Sequence, residues 1–143
     1  MEKSGALILI LLICVPFLSG CIQAKTTLVN SYQSTLAPSR EIRIEDAQTA
    51  EVYQQITDPQ GISNFLDQLK LDEWVLATLP SDQKARIRCR FFQEGEAGPN
   101  ETTLTQFATL LLYEEGPYAA MQVQGTSVVF EMPKAGCDAL TRH

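Results

Sequence analysis

The stretch Arg86-Ile87-Arg88-Cys89-Arg90-Phe91 alternates a cation with an apolar or sulfur side chain for six residues. Successive side chains of a strand point to opposite faces, so this pattern demands a strand with one dry face and one wet face. A helix would scatter the same residues around its axis. Any fold containing this segment must provide neighbouring strands and something apolar to cover Ile87, Cys89 and Phe91.

The neighbours are legible. Ile42 and Ile44 alternate with Arg43 and Glu45, and residues 50–57 carry the β-formers Val52, Tyr53 and Ile56. Trp74, Val75, Leu76 and Leu79 make an apolar segment closed by Pro80-Ser81-Asp82. Leu104 to Tyr113 is apolar on both faces, as a central strand would be. Glu115-Gly116-Pro117 turns the chain into a strand from Tyr118 to Val123, and Gly125 turns it again into Ser127 to Met132. Pro133 ends that strand, because proline has no N–H for a ladder. The polar run at residues 94–101 is expected to be a loop, and residues 134–143 an irregular tail.

One segment follows a different period. Ile62, Phe65, Leu66 and Leu69 fall at i, i+3, i+4 and i+7, the spacing of a helix with one apolar face. Asp58-Pro59 ahead of them supplies an N-cap and a first-turn proline. The expected class is α+β: a small antiparallel sheet, largely a meander, with one amphipathic helix packed on a face.

The N-terminus follows the logic of export. An apolar run from Ala6 to Leu18 comes after Lys3, and it is too short for the ~20 residues of a membrane-spanning helix. It ends in Leu18-Ser19-Gly20-Cys21, which resembles the lipobox of bacterial lipoproteins: an aliphatic residue, two small ones, then the cysteine that takes the lipid. The resemblance implies cleavage before Cys21, lipid on its thiol, and residence outside the cytoplasm on the cell or outer membrane. Ile22 follows the cysteine, which in a two-membrane host implies the outer membrane. Residues 1–20 are then the signal peptide, 21–40 the lipidated cysteine and a flexible tether, and 41–143 a single domain. Leu28 and Val29 offer an alternative start for a first strand. Over residues 41–132 the order of elements resembles small uncharacterised domains of Gram-positive lipoproteins, a likeness that implies no activity.

Charge narrows the partners. Removing residues 1–20 takes away one acid and one base, so the net charge stays at −6. That excess of acid argues against nucleic acid, and it leaves membrane contact to the lipid anchor. Cys14 leaves with the signal and Cys21 takes the lipid, so Cys89 and Cys137 remain, the count for one disulfide. Such a bridge would pin the tail to the Ile87 strand; the alternative is two unpaired thiols, with Cys89 a small buried hydrophobe.

Catalytic chemistry finds little support. The single histidine is the last residue, His143, where a general base or a metal ligand is hard to hold. No cofactor or metal motif is present. The acids at Asp72-Glu73, Glu94 and Glu96, and Glu114-Glu115 lie beside turns, where solvated surface is the ordinary outcome. Arg86, Arg88 and Arg90 are the candidate partner-binding residues: three guanidiniums ~7 Å apart on one strand face suit an acidic protein or polymer of the envelope. Cross-strand pairing with Glu or Asp is the competing reading. The sequence thus points to a non-enzymatic binding or accessory domain on a lipid anchor. The alternatives are a carboxylate-based envelope hydrolase, or an assembly lipoprotein docking a larger complex.

Overall fold

The computed structural model describes residues 32–96 and 102–142. Seven strands form one antiparallel sheet: β1 (Glu41–Asp46), β2 (Val52–Ile56), β3 (Val75–Leu76), β4 (Ala85–Glu96), β5 (Thr102–Tyr113), β6 (Tyr118–Val123) and β7 (Thr126–Glu131). Their spatial order is β2-β1-β4-β5-β6-β7-β3. The run from β4 to β7 is the expected meander. The hairpin β1–β2 extends it on one side, and the two-residue β3 closes the other by pairing Val75 with Glu131 and Leu76 with Phe130.

The tight turn between β1 and β2 is built by Asp46. Its Oδ1 accepts the backbone N–H of Gln48 at 2.7 Å and of Thr49 at 2.8 Å, and Tyr53 donates its hydroxyl to Oδ2 at 2.9 Å. Just beyond the turn the register shifts: Ile44 faces Gln54 while Glu45 faces Val52, leaving Tyr53 as an extra residue.

Helix α1 (Pro59–Gln68) begins as its sequence demands. Asp58 accepts the Gly61 N–H at 2.7 Å, and Pro59 needs no partner for its missing donor. A Cβ on Gly61 would stand 2.6 Å from Asp58 Oδ1, so the carboxylate would have to shift to make room for it. Ile62, Phe65 and Leu69 are buried against the sheet residues Ile42, Ile44, Phe91 and Leu110. Each side chain fully buried in this way contributes about 1.5–3 kcal/mol before entropy is subtracted. Trp74, in the segment after the short 3₁₀ turn Leu71–Glu73, is also buried. It donates its indole N–H to the Leu69 carbonyl at 2.7 Å and packs on Phe130 with ring centres 5.4 Å apart.

Three expectations need correction. Residues 134–143 are not an irregular tail: Lys134–Thr141 form a second helix, α2, with Gly136 and Leu140 buried. Pro133, expected only to end a strand, stands at its N-cap. The 94–101 loop is shorter than expected, because β4 runs to Glu96 and β5 starts at Thr102. The tether also cannot extend to residue 40. Residues 32–36 are helical, Leu36 lies in the core, and Tyr32 meets Phe130 edge-on at 5.6 Å. A single apolar residue in a polar stretch carries no period, so sequence reading assigned it to linker. The signal peptide, Cys21, and the proposed start of a strand at Leu28 and Val29 lie outside the described residues. Among the described residues no helix is long and apolar enough to cross a membrane.

Gly136 is where α2 meets the end of α1. A Cβ there would stand 2.8 Å from the Leu69 carbonyl oxygen and 2.8 Å from Met132 Cε. The methionine end can swing away, but the carbonyl cannot. Gly136→Ala should therefore destabilise the domain by about 1–3 kcal/mol, the usual cost of overpacking. A drop in the thermal midpoint, measured beside Ala135→Gly on the exposed side of the same helix, checks it.

Candidate functional site

The sheet has two unlike faces. Ile87, Cys89 and Phe91 of β4 point into the helix-covered core with Ile42, Ile44 and Leu110. The other face presents Glu41, Arg43 and Glu45 from β1 beside Arg88, Arg90 and Phe92 from β4, registered Arg43 to Arg90 and Glu45 to Arg88.

The arginine ladder is two arginines, not three. The β4–β5 register jumps from Ala85–Tyr113 to Ile87–Leu112, so Arg86 is the extra residue of a bulge. It stays exposed, and its charge is felt by the Cys137 thiol on α2, on the helix side of the sheet. Arg88 and Arg90 keep the expected face and are already engaged. Arg88 Nε donates to Glu45 Oε1, and Arg90 Nη1 lies 3.7 Å from Glu45 Oε2. Arg90 Nε also donates to Gln106 Oε1 at 3.0 Å, and Gln106 in turn donates to Thr109 at 2.6 Å. Next to them Glu41 accepts from Arg43 Nε at 2.7 Å and from the Gln55 amide at 2.5 Å. The guanidiniums of Arg43 and Arg90 both lie over the Phe92 ring, 4.4 and 5.0 Å from its centre.

Arg88 and Arg90 thus both take part in cross-strand pairing on this face. Glu45 is 2% exposed and Glu41 5%. A carboxylate withdrawn from water that far needs its partners. Among the described residues no buried side-chain nitrogen or oxygen lacks one.

The expected disulfide is absent: Cys89 and Cys137 are both free thiols. Cys89 is fully buried on the core face of β4, and Cys137 is half-buried on α2. The tail that was to be pinned by a bridge is instead held by packing as a helix. Burial pushes the Cys89 thiol well above its ordinary range, with the Glu45 charge adding to the effect. Burial, then Asp138, raises Cys137, partly offset by Arg86. Both are protonated and poorly reactive at neutral pH. Alkylation in denaturant without reductant should label Cys89 and Cys137 in full, as peptide mass mapping would show, while native protein should label far more slowly. A linked Cys89–Cys137 peptide would contradict this.

Ungrouped polar chemistry collects elsewhere. A groove of about 620 Å³ runs between the edge strand β2 and the two helices. Gln54 lines it from β2, Gln68 and Lys70 from the end of α1, and Asp138 and Arg142 from α2. Among the described residues none of these five side chains has a hydrogen-bond or ion-pair partner, and all but Asp138 are exposed, unlike the arginines of the opposite sheet face. Gln55 also borders the groove although its side chain reaches Glu41 on the far face, which leaves its main chain to line it. Ile56, Phe65 and Ala139 add an apolar part. Asp58 is present too, but spends its carboxylate on the Gly61 N–H.

This groove was missed by sequence reading. Lys70 and Arg142 each follow the last turn of a helix, and only packing of α2 beside α1 brings the two together. Lys70 also holds a left-handed backbone, φ 52°, where glycine is the usual residue. A second groove, of about 600 Å³, lies between residues 33–40, α1 and the end of β4, where Arg40 and Glu94 approach to 3.6 Å. Among the described residues, no three His, Cys, Asp or Glu side chains are grouped to hold a metal ion.

No family model matches the chain, and no curated protein matches it. Among solved structures, the chain is similar to a thioesterase-like protein from Clostridium sporogenes ATCC 15579, with a TM-score of 0.38 and 14% identity. The match covers 72% of this chain and 91% of that one. A likeness this low carries no conclusion about activity.

The weight resting on Glu45 is measurable. Glu45→Ala should leave Arg88 and Arg90 without their carboxylate and cost about 1–3 kcal/mol, less than a fully buried pair because both arginines remain about one-third exposed. A urea midpoint shifted by that amount, with coupling between Glu45→Ala and Arg88→Ala in a double-mutant cycle, is the expected result.

Proposed function

We propose that this protein is a lipid-anchored, non-enzymatic binding domain of the cell envelope, and that it binds in the groove between β2, α1 and α2. The anchor rests on Leu18-Ser19-Gly20-Cys21 at the end of an apolar run of export length. The observation that carries the binding reading is where unspent polar groups lie. Arg88 and Arg90 are engaged by Glu45 and Gln106, whereas Gln54, Gln68, Lys70, Asp138 and Arg142 have no side-chain partner among the described residues and share one concave surface.

Polar side chains gathered in a cleft with an apolar patch are the ordinary make-up of a ligand site. Arg86, Arg88 and Arg90 are accordingly not proposed as the contact surface. The envelope partner takes the groove, and the Arg88–Glu45 cluster keeps the sheet in register beneath it. Two acyl chains or more on Cys21 would hold the domain on a membrane nearly permanently, since each buried methylene adds ~0.8 kcal/mol.

A second reading has its own observation. Asp58 and Asp138 line the same groove, and a pair of carboxylates across a cleft is the equipment of a glycoside hydrolase. Asp58's role as helix cap weighs against it. Release of reducing ends from envelope glycan, lost in Asp138→Asn, would favour the enzyme.

Intact mass and detergent partition of the protein, wild type beside Cys21→Ala, test the anchor. The wild type should lack residues 1–20, carry acyl mass and enter the detergent phase, and Cys21→Ala should do none of these. Retention of residues 1–20 by both forms in the membrane would replace the lipid with a transmembrane anchor.

A further inference from the structure

Resting on the binding reading of the same groove, we infer that its ligand is a neutral saccharide bearing acetamido groups. The ionic side chains of the groove balance, Lys70 and Arg142 against Asp58 and Asp138, so no single-sign field selects a charged ligand. The exposed carboxamides Gln54 on the strand wall and Gln68 on the helix wall, without a partner among the described residues, each present a donor and an acceptor on one planar head. Such a head matches the acetamido N–H and C=O, or two adjacent hydroxyls of a sugar ring. Lys70 and Arg142 supply donors only and Asp138 supplies acceptors, a complement suited to hydroxyl groups, which do both. Ile56 and Ala139 give the methyl of an acetamido group, or the C–H face of a ring, an apolar surface. The volume, about 620 Å³, falls among clefts that hold small molecules, about 300–1,000 Å³.

The alternative occupant is a peptide strand added to the free edge of β2, bonded through main-chain groups near Gln55. The unpaired side chains argue for the saccharide, since strand addition would use backbone and leave most of them idle.

The test is calorimetric titration of the protein as purified from the membrane in detergent, whatever its processing, with the β-1,4-linked tetramer of N-acetylglucosamine. Cellotetraose, which shares the ring and linkage and lacks the acetamido groups, runs beside it. The variants are Gln54→Leu/Gln68→Leu, and Lys70→Gly, which removes the cation while easing the left-handed backbone and so keeps the fold.

Saturable binding of the acetamido tetramer, weaker or absent binding of cellotetraose, and a loss of about tenfold in the double-leucine variant are expected, the loss equivalent to one or two hydrogen bonds. Lys70→Gly should weaken binding with an unchanged or raised thermal midpoint. No saturable heat at millimolar acetamido tetramer overturns the inference, as does equal binding of the two sugars or binding untouched by the double variant. Capture instead of extended peptides, sensitive to the groove variants, would overturn the saccharide and leave the groove reading standing. A failed lipid anchor would show in the mass and partition experiment and leave this titration unaffected.

Discussion

Strand β4 sits between β1 and β5 with its two faces in opposite chemical worlds. Ile87, Cys89 and Phe91 enter the core, while Arg88, Arg90 and Phe92 face the other side of the sheet. The second set works only because Glu45, directly across from Arg88, gives both guanidiniums a buried carboxylate. Without it the register of β1 on β4 would bury arginine stems over nothing. A slip of one residue would put Ile42 and Ile44 on the charged face and Glu45 in the core, which no partner there could satisfy. The pair thus fixes register as well as adding stability. The hairpin β1–β2, the edge it exposes and the groove beside that edge all inherit their positions from it.

The opposite wall of the groove depends on a second close approach. Gly136 lets α2 pack within contact of the Leu69 carbonyl, so the chain after each helix ends near the same place. Lys70 and Arg142 arrive there from different parts of the sequence and, among the described residues, form no ion pair. The contrast with the sheet face is physical. Charges withdrawn from water, at Glu41 and Glu45, are paired, and the exposed Lys70 and Arg142 stay in water without a partner among the described residues.

Much of this was readable from residues alone. The period-two alternation located β1 and the core-facing half of β4, and the 3.6 period with Asp58-Pro59 located α1 to within a residue. What escaped reading had no local period to reveal it. The bulge at Arg86 leaves the cation–apolar alternation of the sequence intact while moving the side chain off the face of Arg88 and Arg90. Helix α2 is only eight residues long and its inward positions are mostly small, Gly136, Cys137 and Ala139 with Leu140, so little of its sequence stands out as an apolar stripe. Leu36 joins the core from a largely polar stretch of sequence. The count of two cysteines suggested a bond that the packing of α2 does not make.

By itself the sequence determined which segments are strands and which is the amphipathic helix, because these follow from repeating patterns of side-chain polarity over a few residues. It also carries the lipobox-like pattern, a linear signal read by other proteins before any fold exists. Only the tertiary structure decided that the arginines are spent on Glu45, that Arg86 stands apart, and that Gln54, Gln68, Lys70, Asp138 and Arg142 share one groove. Pairing and site formation join residues distant along the chain, and which distant residues meet is set by strand register and helix packing, quantities that no local window of sequence contains.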